Sequence, residues 1–137
     1  MTDRIRKMKD LSNEWIVFDE GRYLAERAVL VTPDDTRAVI LADTVIDIYY
    51  DRRGTRQLKG YATIANHLLV DLLDETDEID LVLDLTGAFK YRLPNPQIRS
   101  GKVFTPDVHS TLHFIPTRPW RQIPEEGFEA YLSGLQF

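Results

Sequence analysis

Carboxylates form the densest group of side chains that could do chemistry in this sequence. Seven of them occur with no lysine or arginine between Lys59 and Lys90: Asp71, Asp74, Glu75, Asp77, Glu78, Asp80 and Asp84. Their oxygens suit a divalent cation or a basic partner, but the spacing lacks the Asp-x-Asp-x-Asp-Gly pattern and distal Glu of a calcium loop. The sequence therefore favours a solvated acidic surface over a metal site.

A basic segment precedes the acidic one, at the predicted start of a helix. It contains Arg52, Arg53, Thr55 and Arg56, followed by Lys59. The free N–H groups of a helix start bind anions, and nearby guanidinium groups add bidentate contacts. No glycine-rich phosphate-binding motif accompanies them. Arg52, Arg53, Thr55 and Arg56 are thus a candidate anion-binding site, and the alternative is an ordinary solvated turn.

Two histidines, His109 and His113, are spaced so that both lie on one face of a strand or a helix. Two imidazoles make half of a zinc site, and only His67 or an aspartate remains to complete it in a chain without cysteine. We therefore interpret them as structural and predict no metal and no cofactor. No catalytic residue is predicted either, because Ser100 and Ser110 lack a nucleophile-elbow context.

Aromatic and cationic residues follow the most regular predicted strand. Phe89, Lys90, Tyr91 and Arg92 come directly after its carboxyl end, where binding crevices of open α/β sheets usually form. Aromatic residues and arginine are enriched among interface anchors. These four residues are the predicted partner-binding surface, and Lys90 and Arg92 are expected to be exposed. The alternative is that Phe89 and Tyr91 cap the edge of the core.

One helix and one strand are expected to position these groups. Apolar residues at i, i+3, i+4, i+7, i+8, i+11 and i+12 predict an amphipathic helix over residues 60–74, with the stripe Tyr61, Ile64, Ala65, Leu68, Leu69, Leu72 and Leu73 buried. Residues 79–85 alternate at period two, which predicts a strand. A short connection lets this helix fold back onto the sheet that it feeds.

Shorter elements are predicted on both sides of that unit. Strands are expected at residues 15–18, 23–31, 38–41, 45–50 and 111–115, and a short helix at 124–132. Residues 1–13 are expected to be a flexible or short helical tail, and residues 14–137 a globular domain. The predicted fold is α/β (or α+β): one compact domain with a mixed sheet, a β-rich N-terminal half, one main amphipathic helix packed on the sheet and a short C-terminal helix.

Composition narrows the classes of partner. The chain has 137 residues, a net charge of -5 and no cysteine. The acidic balance disfavours general nucleic-acid binding, so no nucleic-acid partner is predicted, although local basic patches are compatible with that balance. No signal peptide or long apolar run is present, so we expect no membrane partner. The absence of cysteine fits a reducing compartment, and the predicted location is cytoplasmic.

The segment Leu83-Asp84-Leu85-Thr86-Gly87, preceded by a helix and followed by a later strand and a closing helix, resembles the STAS (anti-sigma-factor antagonist) domains over residues 45–132. That resemblance implies a non-enzymatic module that binds a protein partner. The phosphorylation switch of that family does not carry over, because residues 88–94 contain no Ser or Thr. The predicted function is a small regulatory adaptor. The alternatives are a structural subunit of a homo- or hetero-oligomeric assembly, and a small-ligand-binding protein or enzyme.

Overall fold

The computed structural model describes residues 13–100 and 108–137, and antiparallel strands dominate them. Strands take up 46% of the described residues and helices 14%. The strands are β1 Gly21–Leu24, β2 Arg27–Val31, β3 Ala38–Tyr50, β4 Arg56–Ala65, β5 Asp80–Asp84, β6 Lys90–Leu93, β7 Gln97–Ser100, β8 His109–Ile115 and β9 Arg121–Gln122; the helices are α1 Asn66–Glu75 and α2 Phe128–Ser133. The predicted α/β fold with one main packed helix is therefore wrong.

Strand β3 joins two halves of one curled sheet that forms a half-barrel. Its first residues pair with β2, and β2 continues through β5 and β6 to β9; we call this the covered half. Its later residues pair with β1 on one edge and β4 on the other, and β4 continues through β8 to β7; we call this the open half. The pairing shifts between Ala42 and Val45, where Asp43 adopts a φ of 49°. This bulge bends β3, so that one strand serves both halves.

The predicted helix over residues 60–74 is wrong at its start, because residues 60–65 belong to β4. Leu58, Ala62 and Ile64 alternate into the core, and β4 is hydrogen-bonded to β3 on one side and to β8 on the other. Only residues 66–75 are helical. Leu69 and Leu72 are buried, whereas Leu68 and Leu73 of the predicted stripe are exposed. The helix is thus short and closes the core locally.

Gly60 explains why β4 fits at this position. A Cβ atom placed on Gly60 would lie 2.2 Å from Cζ of Phe114, which is opposite it in β8. The Phe114 ring therefore covers the bare backbone of β4. A glycine that reads as a helix start in the sequence is in fact a site of close side-chain approach.

Two hydrophobic cores flank the covered half. The larger core lies inside the half-barrel and includes Leu30, Ile46, Leu83 and Phe114. The second lies on the other face of β2 and β5, where α2 packs through Phe128. Strand β5 is buried along its whole length because both of its faces are covered.

The remaining predicted elements are only partly correct. Residues 15–18 form no strand, and residues 23–31 are divided between β1 and β2. The predicted strands at 38–41 and 45–50 are both parts of β3, and the strand at 111–115 is confirmed within β8. The closing helix begins only at Phe128. The predicted tail lies, up to residue 12, outside the described residues.

Candidate functional site

The predicted partner-binding residues lie in β6 and the turn before it, and their charged groups are turned inward. The Lys90 ammonium donates to Oδ1 of Asp84 at 3.1 Å and to the carbonyl of Gly87 at 2.6 Å. Arg27 donates from Nε to the other carboxylate oxygen of Asp84 at 3.0 Å and also pairs with Glu129 of α2. Only 2% of the Asp84 side chain and 9% of the Lys90 side chain are exposed. The expectation that Lys90 is exposed is therefore wrong.

Two opposing effects act on the carboxyl group of Asp84. Burial raises its pKa, but hydrogen bonds from Lys90, from the backbone N–H of Thr86 and from Arg27 more than offset that effect. The pKa of Asp84 is lowered as a result. The group is therefore held as a carboxylate between the buried Lys90 and the partly exposed Arg27, and Glu129 supplies a second negative charge beside Arg27.

Arg92 belongs to a second internal network on the same face of β6. Its guanidinium donates to Asp80 at 2.8 Å, to Asp35 at 2.8 Å and to the hydroxyl of Tyr131 at 3.0 Å. The Tyr131 hydroxyl in turn donates to Asp35 at 2.8 Å. Only 13% of the Arg92 side chain is exposed, so its expected exposure is also wrong. This network ties α2 to the turn after β2.

The aromatic members of the predicted surface differ from each other. Tyr91 is buried and stacks on Trp120 with ring centroids 4.1 Å apart. Phe89 contacts Phe18, yet 47% of it remains exposed. Phe89 alone has the accessibility that the predicted surface requires. A partner-binding role for Phe89, Lys90, Tyr91 and Arg92 stays a prediction, while the contacts assign three of them to the scaffold.

Three of the candidate anion-binding residues, Arg52, Arg53 and Thr55, lie in the turn between β3 and β4, where no helix begins, and Arg56 is the first residue of β4. The Asp51 carboxylate accepts the backbone N–H groups of Arg53 and Thr55, so it organises the turn. The Arg56 side chain donates to the carbonyl of Ile16 and to the Tyr50 hydroxyl. The physical basis of the predicted site, free N–H groups at a helix start, is thus wrong. Arg52 and Arg53 remain exposed.

The fold also separates the acidic residues of the segment 71–84 from one another and places the two histidines elsewhere on the surface. Asp80 and Asp84 are buried in β5, whereas the other five carboxylates of that group are exposed on α1 and the segment after it. His109 and His113 are exposed on β8. Among the described residues no three His, Asp or Glu side chains are placed to hold a metal ion.

No helix among residues 13–100 and 108–137 is long and apolar enough to cross a membrane.

An apolar groove between α2 and the paired strands β2 and β3 was not predicted from the sequence. This α2 groove has a volume of about 360 Å³, and its apolar walls are Val29, Ile40, Leu132 and Phe137. Ile40 is 63% exposed and Phe137 is 62% exposed. In the sequence Ile40 is one more apolar residue of a predicted strand. Only the placement of α2 over β2 shows that it borders a groove.

Comparisons with protein-family models, with curated proteins and with solved structures find no match for this chain. The resemblance to STAS domains therefore stays a prediction.

Proposed function

We propose that the protein is a small, non-enzymatic, cytoplasmic module that binds a protein partner through the α2 groove. The partner would insert apolar side chains between Ile40 and Phe137. The exposure of these two large side chains on one groove is the observation that carries the proposal. Contact with a partner would remove their apolar surface from water.

The surroundings of the groove match the usual anatomy of an interface. Its floor is apolar, since Val29 belongs to the core beneath α2. Its rim carries Glu26, Arg27 and Glu129, and Arg27 and Glu129 are paired with each other. An apolar centre with a polar, already paired rim limits the desolvation of charge on binding. The groove is also small enough that a short segment of a partner would fill it.

A photoreactive amino acid at position 40 tests this proposal. In cells, we expect it to crosslink a distinct protein, which mass spectrometry of the crosslinked product identifies. The matched control is the same photoreactive residue at position 17, because Val17 is similarly exposed, at 58%, and does not line the groove. Crosslinking at position 40 and its absence at position 17 would locate the partner in the groove.

Reconstitution with the purified partner then measures the contribution of the groove. Burial of an isoleucine side chain is worth about 1.5–3 kcal/mol, so Ile40→Asp is expected to weaken binding about 10- to 100-fold. Val17→Asp should leave the dissociation constant unchanged. Equal affinity for both variants would refute the groove as the binding site. Crosslinking of the chain to a second copy of itself would instead establish the structural-subunit alternative.

A further inference from the structure

The outer face of the open half is a second exposed surface, distinct from the α2 groove. Ile46, Leu58, Leu112 and Phe114 point into the core, so the residues between them along each strand point outward. This outer face carries Arg22 on β1, Asp47 and Tyr49 on β3, Lys59 and Tyr61 on β4, His113 on β8 and Arg99 on β7. Helix α2 covers the corresponding face of the covered half. The open half has no such cover among the described residues.

Rings and cations lie close together on this outer face. Tyr61 lies directly opposite His113, and their ring centroids are 6.1 Å apart. Arg99 follows opposite His113 on the next strand. The Lys59 ammonium lies 4.9 Å from the ring centroid of Tyr49, and the Arg22 guanidinium lies 5.7 Å from that of Tyr61. Positive charge therefore accompanies the rings, although the face also carries exposed apolar residues, Leu24 on β1 and Ile115 on β8.

The charge of the outer face is opposite to that of the chain as a whole. The chain has a net charge of -5, yet the outer face presents three permanent cations and one carboxylate. That carboxylate, Asp47, is already paired with Arg22 at 2.9 Å. Arg52 and Arg53 extend the positive charge into the turn beside Tyr49, where Asp51 is bound within the turn, and Glu20 lies at the β1 edge. Lys59 and Arg99 thus remain available for an anionic ligand.

We propose that the outer face binds single-stranded nucleic acid, with bases stacked on Tyr49, Tyr61 and His113 and phosphates contacted by Lys59 and Arg99. Sequence-tolerant binding of single strands combines a positive surface with aromatic side chains on which successive bases stack. An acidic protein could pair its carboxylates with the cations, but it has no regular series of flat rings to stack on the aromatic residues. A duplex hides its base faces, so it would lose the stacking contacts as well.

Fluorescence anisotropy with fluorescein-labelled 12-nucleotide oligouridine and oligothymidine tests the proposal. Non-specific binding of this kind has dissociation constants of about 10⁻⁶ to 10⁻⁴ M, so titration reaches 10⁻³ M protein in 50 mM salt. We expect Tyr49→Ala with Tyr61→Ala to weaken binding about tenfold or more, and Tyr49→Phe with Tyr61→Phe to retain it, because phenylalanine also stacks. Lys59→Glu with Arg99→Glu should weaken binding. It should also reduce the slope of the logarithm of the binding constant against the logarithm of the salt concentration by about 1.4.

Matched controls distinguish this site from general electrostatic attraction. Arg118→Glu with Arg121→Glu makes the same charge change at exposed positions in and before β9, and should leave binding within about twofold of native. A duplex of equal length and polyglutamate serve as competitors, and both should compete at least tenfold more weakly than the unlabelled single strand. Absence of binding, an unchanged affinity after the tyrosine-to-alanine changes, or equal competition by polyglutamate would each overturn the proposal. Thermal unfolding of every variant confirms that it is folded.

Discussion

The covered half and the open half use the same kind of ion pair in opposite environments. In the covered half, the Asp84 carboxylate is buried between Lys90 and Arg27 beneath α2. In the open half, Asp47 pairs with Arg22 on a face over which no helix lies among residues 13–100 and 108–137, and 63% of the Arg22 side chain is exposed. A strand covered on both faces must pair each of its charges internally, whereas an uncovered strand leaves its polar side chains available to a ligand. Charged residues in the two halves therefore have different roles even though their chemistry is the same.

Asp84→Ala is expected to have the largest effect on stability among the tests of this contrast. Removing the carboxylate leaves the Lys90 ammonium buried beside Phe128 with only the Gly87 carbonyl as a partner. Breaking a buried pair on one side costs about 3–5 kcal/mol, and we expect that loss of unfolding free energy in urea titration at pH 7. The pKa of Asp84 is lowered by folding, so its contribution is present above the unfolded pKa and is lost as pH falls through the folded value.

A double variant distinguishes the effect of losing the carboxylate from the effect of leaving a buried cation unpaired. Asp84→Ala with Lys90→Met removes both charges, and an apolar pair of similar volume is often neutral in such a position. Most of the lost stability should therefore return in the double variant. If Asp84→Ala alone loses less than about 1 kcal/mol, the covered half is open to water at this position and the contrast with the open half fails.

Gly60→Ala tests how tightly the inner face of the open half is packed. The new methyl group would meet the ring of Phe114, and overpacking of this kind costs about 1–3 kcal/mol. Phe114→Leu should be destabilising in the native background but less so beside Gly60→Ala, because the smaller side chain leaves room for the methyl group. A double-mutant cycle from urea midpoints measures that coupling. Strict additivity of the two changes would contradict the close approach.

Tyr131 gives a smaller, pH-dependent test of how α2 covers its half. Burial and the hydrogen bond to Asp35 raise the pKa of Tyr131 to about 12. Folding therefore favours the neutral phenol, and this stability is complete below the unfolded pKa of about 10 and is lost as pH rises toward 12. Since the ring is only partly buried, screening limits the contribution to about 1 kcal/mol.

Tyr131→Phe should remove this part of the alkaline loss of stability. Unfolding free energies between pH 9 and 12 are expected to fall less steeply in the variant than in the native protein. A residual slope will remain, because burial also raises the pKa of Tyr91. Alkaline curves that differ only by a constant offset would show that the Tyr131 phenol is not shielded by the fold.

The sequence predicted strands where local patterns and long-range pairing agree. The alternation at residues 79–85 corresponds to β5, and the two strands predicted at 38–41 and 45–50 are both parts of the single strand β3. The helix over residues 60–65 was wrong because Tyr61, Ile64 and Ala65 fit a helical stripe, while Ala62 and Ile64 equally fit a strand. Pairing decides between the two: β4 pairs with β3 across the turn at residues 51–55 and with β8, which is distant in sequence. Tertiary contacts thus outweigh the local helical spacing of the apolar residues.

The burial of Lys90 has a signal in the sequence, whereas Arg92 lies opposite Val82 and reaches Asp80 on the diagonal. Asp84 ends β5 before the turn, and Lys90 begins β6 after it. In a hairpin that spacing places opposite charges across from each other, and Asp84 does pair with Lys90 in the register of β5 and β6. The α2 groove and the outer face had no comparable signal. Both depend on which sheet face α2 covers, and a short helix near the C-terminus does not specify that in its sequence.

Asp47→Ala is expected to have the smallest effect and so completes the contrast with Asp84. The Arg22 guanidinium is 2.9 Å from Asp47 but stands mostly in water, where charge pairs contribute little and salt screens them. We expect the melting temperature to fall by less than about 3 °C, and the difference to shrink further in 1 M salt. The same change frees Arg22 beside Tyr61, so oligouridine should bind slightly more tightly to this variant. A large loss of stability would instead show that the outer face is a structural surface like that of the covered half. Its cations would then be paired within the protein and not available to a ligand.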